Sequence, residues 1–165
     1  MAKIVAKKRH PIRKNQVAEL YSRLKEQIGE SETRFEHERV ELVETTGPFQ
    51  LFLINKKPLL MEFNEIVFPT LRGVLEYPFP ERRVVVDQGA VPFVVNGADV
   101  MRPGIVSVTD DIVSGKPVQI VEERHGKPIA IGIALHDAAQ IRESTAGKMC
   151  RTIHRVGDEL WNLEF

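Results

Sequence analysis

Hydrophobic positions change their period along the chain, and the changes mark its elements. Val17, Leu20, Tyr21, Leu24 and Ile28 recur at three- and four-residue spacing, which predicts a helix stopped at Gly29. Lys14, Arg23 and Lys25 fall on its solvent side. Ahead of it, residues 3–12 alternate weakly and read as an edge strand with Pro11 near its end. Beyond a polar, acidic stretch (31–38), residues 39–44 and 49–54 read as strands, and 55–57 as a turn into 58–61. Residues 68–75 place Leu71, Val74 and Leu75 on one face, a short helix that Pro69 opens and Pro78 ends. Gly73 inside it costs roughly 1 kcal/mol against alanine. Residues 77–80 hold two prolines and read as a stiff linker.

The second half is mostly strand. A β-branched run at 83–86 breaks at 87–90. Val91, Val94, Val95 and Ala98 then match a helix face, with Gly97 as its left-handed stop. Short strands are predicted from 100, over 105–108 and 118–121, and over 129–135 after a hairpin turn at 124–127. One helical turn fits 137–141, and 152–156 with 160–163 read as a closing hairpin. Five or six short strands punctuated by turns predict a small barrel or sandwich.

Composition narrows the class. A chain of 165 residues suits one domain or two small ones. Hydrophobic residues at 42% and charged residues at 28% argue against disorder. The single cysteine, Cys150, excludes an internal disulfide framework and a Cys-rich zinc site. No window reaches the ~18–20 apolar residues of a membrane span, and residues 1–9 lack the apolar core of a signal peptide. The expected setting is the cytoplasm.

The net charge is zero, but its distribution is uneven. Residues 1–28 hold eight basic and two acidic side chains, whereas residues 29–70 hold four basic and eight acidic. Affinity for a polyanion follows the local field, so the neutral total does not exclude one. The basic segment fits a nucleic acid and a solubilising face equally well.

Catalytic patterns are missing. His10, His37, His125, His136 and His154 have no metal-site spacing. Cys150 and His154 share strand parity, yet read as a buried thiol and its neighbour rather than a nucleophile and base. Asp110 and Asp111 are adjacent and point to opposite faces of a strand. No phosphate-binding glycine loop follows a strand. We therefore expect no catalytic residue, no metal site and no cofactor.

What remains is a glycine-punctuated segment. Gly89 and Ala90 open a helix whose N–H groups could meet a phosphate or sugar hydroxyl. Gly97 and Ala98 keep the next loop low, and Arg102 can donate in a fork. The same glycines also fit as plain turn formers. The string Asp87, Gly89, Ala90, then Gly97, Ala98, then Pro103, Gly104, Ile105 resembles the PUA domain, an RNA-binding pseudo-barrel. Residues 68–72, 77–79, 86–90, 97–98, 101–104 and 153–161 together resemble the MCT/ligatin translation proteins, which join a pre-PUA domain to a C-terminal PUA domain.

The resemblance implies an α+β chain: a pre-PUA domain over residues 1–80, then a PUA pseudo-β-barrel over 82–165. It implies an RNA-binding protein, not an enzyme, acting in translation initiation, reinitiation or recycling. The implied partners are structured RNA (rRNA or tRNA), the small ribosomal subunit and a protein with an SUI-type domain; neither membrane nor DNA is expected. It carries over Asp87, Gly89, Ala90, Gly97, Ala98 and Arg102 as RNA-side residues, with Arg72, Arg82 and Arg83 near the domain junction. Phe93 and Trp161 read as core, with base stacking the alternative for Trp161. An accessory subunit for an RNA-modifying enzyme, and a metabolic role, stay open beside this reading.

Overall fold

The alternating runs of the first eighty residues form an antiparallel meander in the computed structural model, which describes residues 3–165. The first two residues of the basic N-terminal segment lie outside the described residues. The chain divides into two units, one of residues up to 79 together with 162–165, the other Pro80–Trp161.

In the first unit, β1 (Ala6–Pro11) precedes α1 (Lys14–Ile28) and a 3-10 segment (Gly29–Phe35). Then come β2 (Val40–Thr45), β3 (Gln50–Ile54), β4 (Lys57–Phe63), β5 (Ile66–Pro69) and α2 (Leu71–Glu76). The sheet order is β1-β2-β3-β4-β5, every neighbour antiparallel. Helix α1 buries the predicted stripe of Leu20, Tyr21, Leu24 and Ile28 and ends at Gly29, whose φ is 59°. Each fully buried Leu or Ile contributes about 1.5–3 kcal/mol, so this face, not the polar one, holds the helix in place.

Several expectations are corrected. The 58–61 stretch beyond the expected turn is part of strand β4, and the start of the helix expected over 68–75 is strand β5. Both strands exist because Asn55-Lys56 and Asn64-Glu65 adopt positive φ, the geometry of two-residue hairpin turns. Helix α2 therefore opens not at Pro69 but at Thr70, whose hydroxyl accepts the Gly73 N–H at 3.1 Å. Gly73 is a packing necessity, since a Cβ there would lie 2.0 Å from the Leu59 carbonyl oxygen. Arg23 is not a free solvent-side cation: it pairs with Glu62 and donates to the Glu65 carbonyl. Phe79, placed in the linker, is buried and packs edge-on against Phe35 and Phe68.

The second unit holds β6 (Arg83–Val86), α3 (Val91–Val94), β7 (Val100–Met101), β8 (Ile105–Val108), β9 (Pro117–Glu122), β10 (Pro128–Ala134), α4 (Ala138–Glu143) and β11 (Lys148–Arg155). Its sheet order is β7-β11-β10-β9-β6-β8, nearly closed into a barrel. β6 and β9 run parallel; the other pairs are antiparallel. Val84, Val86, Val94, Val118, Ile120, Ala130, Ile141 and Cys150 fill the core. The expected closing hairpin is absent. The Asp158 carboxylate gathers the Arg155 and Trp161 N–H groups at 2.8 Å each, which winds the chain into turns beyond β11. Trp161 is half-buried there rather than a core strand residue.

Candidate functional site

Between β6 and β8 the chain leaves the barrel twice, and the two excursions enclose a groove of about 370 Å³. One wall is the Asp87–Ala90 turn with α3; the other is Asp99, β7 and the 102–104 turn. Asp87 starts α3, its Oδ1 accepting the Ala90 N–H at 2.9 Å. This corrects the expected row of free helix donors. The Ala90 N–H is engaged, Pro92 has none, and α3 is four residues long.

The exposed apolar residues of the second unit supply what the donors do not. Phe93, read as core, is 68% exposed, and Met101 across the groove is 48% exposed. Adjacent residues on a helix point in different directions, and in α3 it is Val94, not Phe93, that enters the core. An exposed aromatic ring beside a groove can stack a base or any flat, weakly polar group.

The predicted residues do not form one cluster. Asp87, Gly89 and Ala90 line the groove, where Gly104, a motif residue not predicted as a contact, joins them. Gly97, at φ 93°, and Ala98 lie on the β11 side: Arg155 packs over Gly97, and the Thr152 hydroxyl donates to the Ala98 carbonyl at 2.8 Å. The fork of Arg102 is turned into the fold, its Nε donating to the Ile141 carbonyl at 2.7 Å and Nη1 to that of Ile105 at 3.2 Å. Arg82 is buried, with Nη1 on the Pro117 carbonyl at 3.1 Å and its N–H on Asp111. Arg83 reaches the Gly126 carbonyl with Nη2 at 3.0 Å. Arg72 sits in α2 of the first unit.

The cations beside the groove come from β11, which the sequence reading did not single out. Lys148 is opposite Met101 in the β11–β7 ladder, and its ammonium contacts Asp99 Oδ2 at 2.9 Å. That contact, with the Thr152 N–H, holds the Asp99 carboxyl below its usual range. Arg151 is exposed on the same strand. The signal was available: Lys148 and Arg151 are cations in a strand-like run with the buried Met149, Cys150 and His154. Burial pushes the Cys150 thiol up to about 12, and His154 bonds Asp158 at 2.9 Å, so the two do not pair. Among the described residues, no three His, Cys, Asp or Glu side chains gather to hold a metal.

The PUA domain matches residues 82–157, and a domain of unknown function (DUF1947) matches residues 8–77. An uncharacterized protein of Methanocaldococcus jannaschii is 40% identical over 119 residues, 72% of this chain and 74% of its own. Translation machinery-associated protein 20 of Saccharomyces cerevisiae is 30% identical over 130 residues, 75% of this chain and 72% of its own. The crystal structure of a hypothetical protein of Pyrococcus horikoshii, 35% identical, covers 93% of this chain and 98% of its own with a TM-score of 0.83.

Proposed function

Because the chain belongs to the pre-PUA and PUA family of translation machinery-associated protein 20 and the malignant T-cell-amplified sequence proteins, we propose that it binds structured RNA in translation, through the small ribosomal subunit or tRNA. The observation that carries this reading is the groove flanked by exposed Phe93 and Met101 and bordered by Lys148 and Arg151. Stacking is worth about 1–3 kcal/mol per base, and each neutralised phosphate adds a salt-dependent increment. The protein acts by binding and not by catalysis, and it works in the cytoplasm. No described helix is long and apolar enough to cross a membrane.

We extend the proposal to a protein partner with an SUI-type domain, which would dock on the first unit. A groove of about 570 Å³ lies there between α1 and residues 32–38, lined by Val17, Ala18, Tyr21 and His37. Lys14, Lys25, Glu32, Glu36 and Glu38 line it too, and this mixture of apolar surface with charges of both signs suits a protein partner more than a phosphate.

Crosslinking to RNA in cells, with both crosslink partners mapped, tests the main reading. Crosslinks from the peptide carrying Phe93 or Met101 to rRNA or tRNA are expected, with cosedimentation on small subunits at physiological salt. An absence of RNA crosslinks would overturn it.

A further inference from the structure

The hairpin between β9 and β10 carries three outward side chains that take no part in the groove: Arg124, His125 and Lys127, all exposed. Among the described residues none of the three forms an ion pair. Their backbone, by contrast, is held tightly. One buried carboxylate, Glu122, accepts the N–H of Arg124 at 2.7 Å, of His125 at 2.9 Å and of Lys127 at 3.0 Å. The Arg83 guanidinium supports the tip from below through the Gly126 carbonyl, and its Nε is buried without a partner.

The same carboxylate ties this tip to the groove. Gln88 stands between Asp87 and Gly89, and its side-chain amide donates to Glu122 Oε2 at 3.1 Å. The Glu123 N–H bonds the Val86 carbonyl at 3.0 Å, and its carboxylate takes the Gln88 N–H at 3.4 Å. Both carboxylates of the hairpin are therefore engaged by N–H donors, while its cations face solvent on a backbone held in one conformation. Little ordering entropy is lost when a ligand meets such a tip.

We propose that Arg124 and Lys127 form a second anion site that takes the RNA phosphate backbone next to the groove, with Glu122 as the positioning residue. This rests on the RNA-binding reading above. The groove would hold a base, and the tip would fix the direction in which the strand leaves it. Phosphate contacts position a nucleic acid without reading its sequence, so the tip is expected to add affinity and not specificity.

The test measures binding of the full chain to unfractionated tRNA and to small-subunit rRNA across a salt series. Four proteins are compared: wild type, the double variant Arg124→Gln with Lys127→Gln, Phe93→Ala, and Glu122→Gln. Removing two phosphate contacts should flatten the slope of log K against log salt by about 1.4–1.8 and lower affinity roughly tenfold at low salt. Phe93→Ala should weaken binding with the slope unchanged. Glu122→Gln leaves Arg124 and Lys127 in place but removes a carboxylate oxygen that holds the tip; binding several-fold weaker at a temperature well below its melting point supports the positioning role, and wild-type affinity there overturns it. If the double variant keeps the wild-type slope while Phe93→Ala weakens binding, the second site is overturned and the RNA reading stands. If wild type binds neither RNA, both are overturned.

Discussion

The Cβ of Ala90 stands 3.0 Å from the place a Cβ on Gly104 would occupy. The two walls of the PUA-unit groove thus meet at a glycine, and a larger residue fits only if one wall gives way. Asp87 reinforces the junction, its N–H donating to the Gly104 carbonyl at 2.9 Å. Gly104→Ala should push the walls apart by a few tenths of an ångström at a cost of about 1–2 kcal/mol, read by denaturant unfolding. Ala90→Arg tests the groove itself. Ala90 is half-buried at its mouth, so the fold should survive while RNA affinity falls about tenfold despite the added cation. Unchanged or tighter binding would move the site elsewhere.

Phe93→Ala should separate binding from stability. A ring that is 68% exposed contributes little to the core, so the melting temperature should move by a degree or two at most. RNA affinity should drop by about 1–3 kcal/mol if a base stacks on the ring. A large stability loss with intact binding would return Phe93 to a structural role.

Gly73→Ala opposes two effects in one residue. Helix propensity alone would stabilise α2 by roughly 1 kcal/mol. The new Cβ, however, would sit 2.0 Å from the Leu59 carbonyl oxygen, and β4 backbone cannot yield cheaply. Net destabilisation of at least about 2 kcal/mol is expected from equilibrium unfolding of the first unit. A stabilised variant would show that helix and strand slide apart freely.

Cys150 should be chemically silent in the native protein. Burial, with Asp99 adding to it, pushes its thiol up to about 12, so almost no thiolate exists at pH 8. Iodoacetamide should label it only after denaturation, which mass spectrometry reads directly.

Acid should weaken the second unit through its engaged carboxylates. Burial raises the Asp158 carboxyl, but the His154 ring contact and the Trp161 and Arg155 N–H groups outweigh it and leave it lowered. The Lys127 N–H and its neighbours lower Glu122, and Lys148 lowers Asp99. A lowered folded-state value means stability that is present above the usual carboxylate range and lost as pH falls through it, below about pH 4. Melting temperature should therefore fall between pH 5 and 3. Asp158→Asn should cost about 1–3 kcal/mol at pH 7, and the deficit should shrink by pH 3. A constant deficit would mean that Asp158 acts by shape and not by charge.

The elements with a strong local period were legible in the chain itself. The α1 stripe from Val17 to Ile28 and its stop at Gly29 follow from the spacing of apolar side chains and from glycine's freedom at positive φ. So do the β-branched runs that became β6, β8 and β9. The motif from Asp87 to Gly104 pointed to the PUA domain; that Ala90 and Gly104 meet across a groove is visible only in the fold.

Tertiary structure decided the rest. Whether Arg102 offers its fork outward or bonds the Ile141 and Ile105 carbonyls depends on where α4 ends, 39 residues away. Spacing already put Val94 on the buried face of α3; that Phe93, off that face, stands exposed at the rim of a groove opposite Met101 depends on where β7 runs. Glu122 anchors its own hairpin through three nearby N–H groups, but its link to the groove exists only because the fold brings Gln88, 34 residues away, to the same carboxylate. Local patterns fix period and turn. Which polar group meets which partner is set by contacts between distant segments, since a buried donor or acceptor takes its partner from whatever the fold carries next to it.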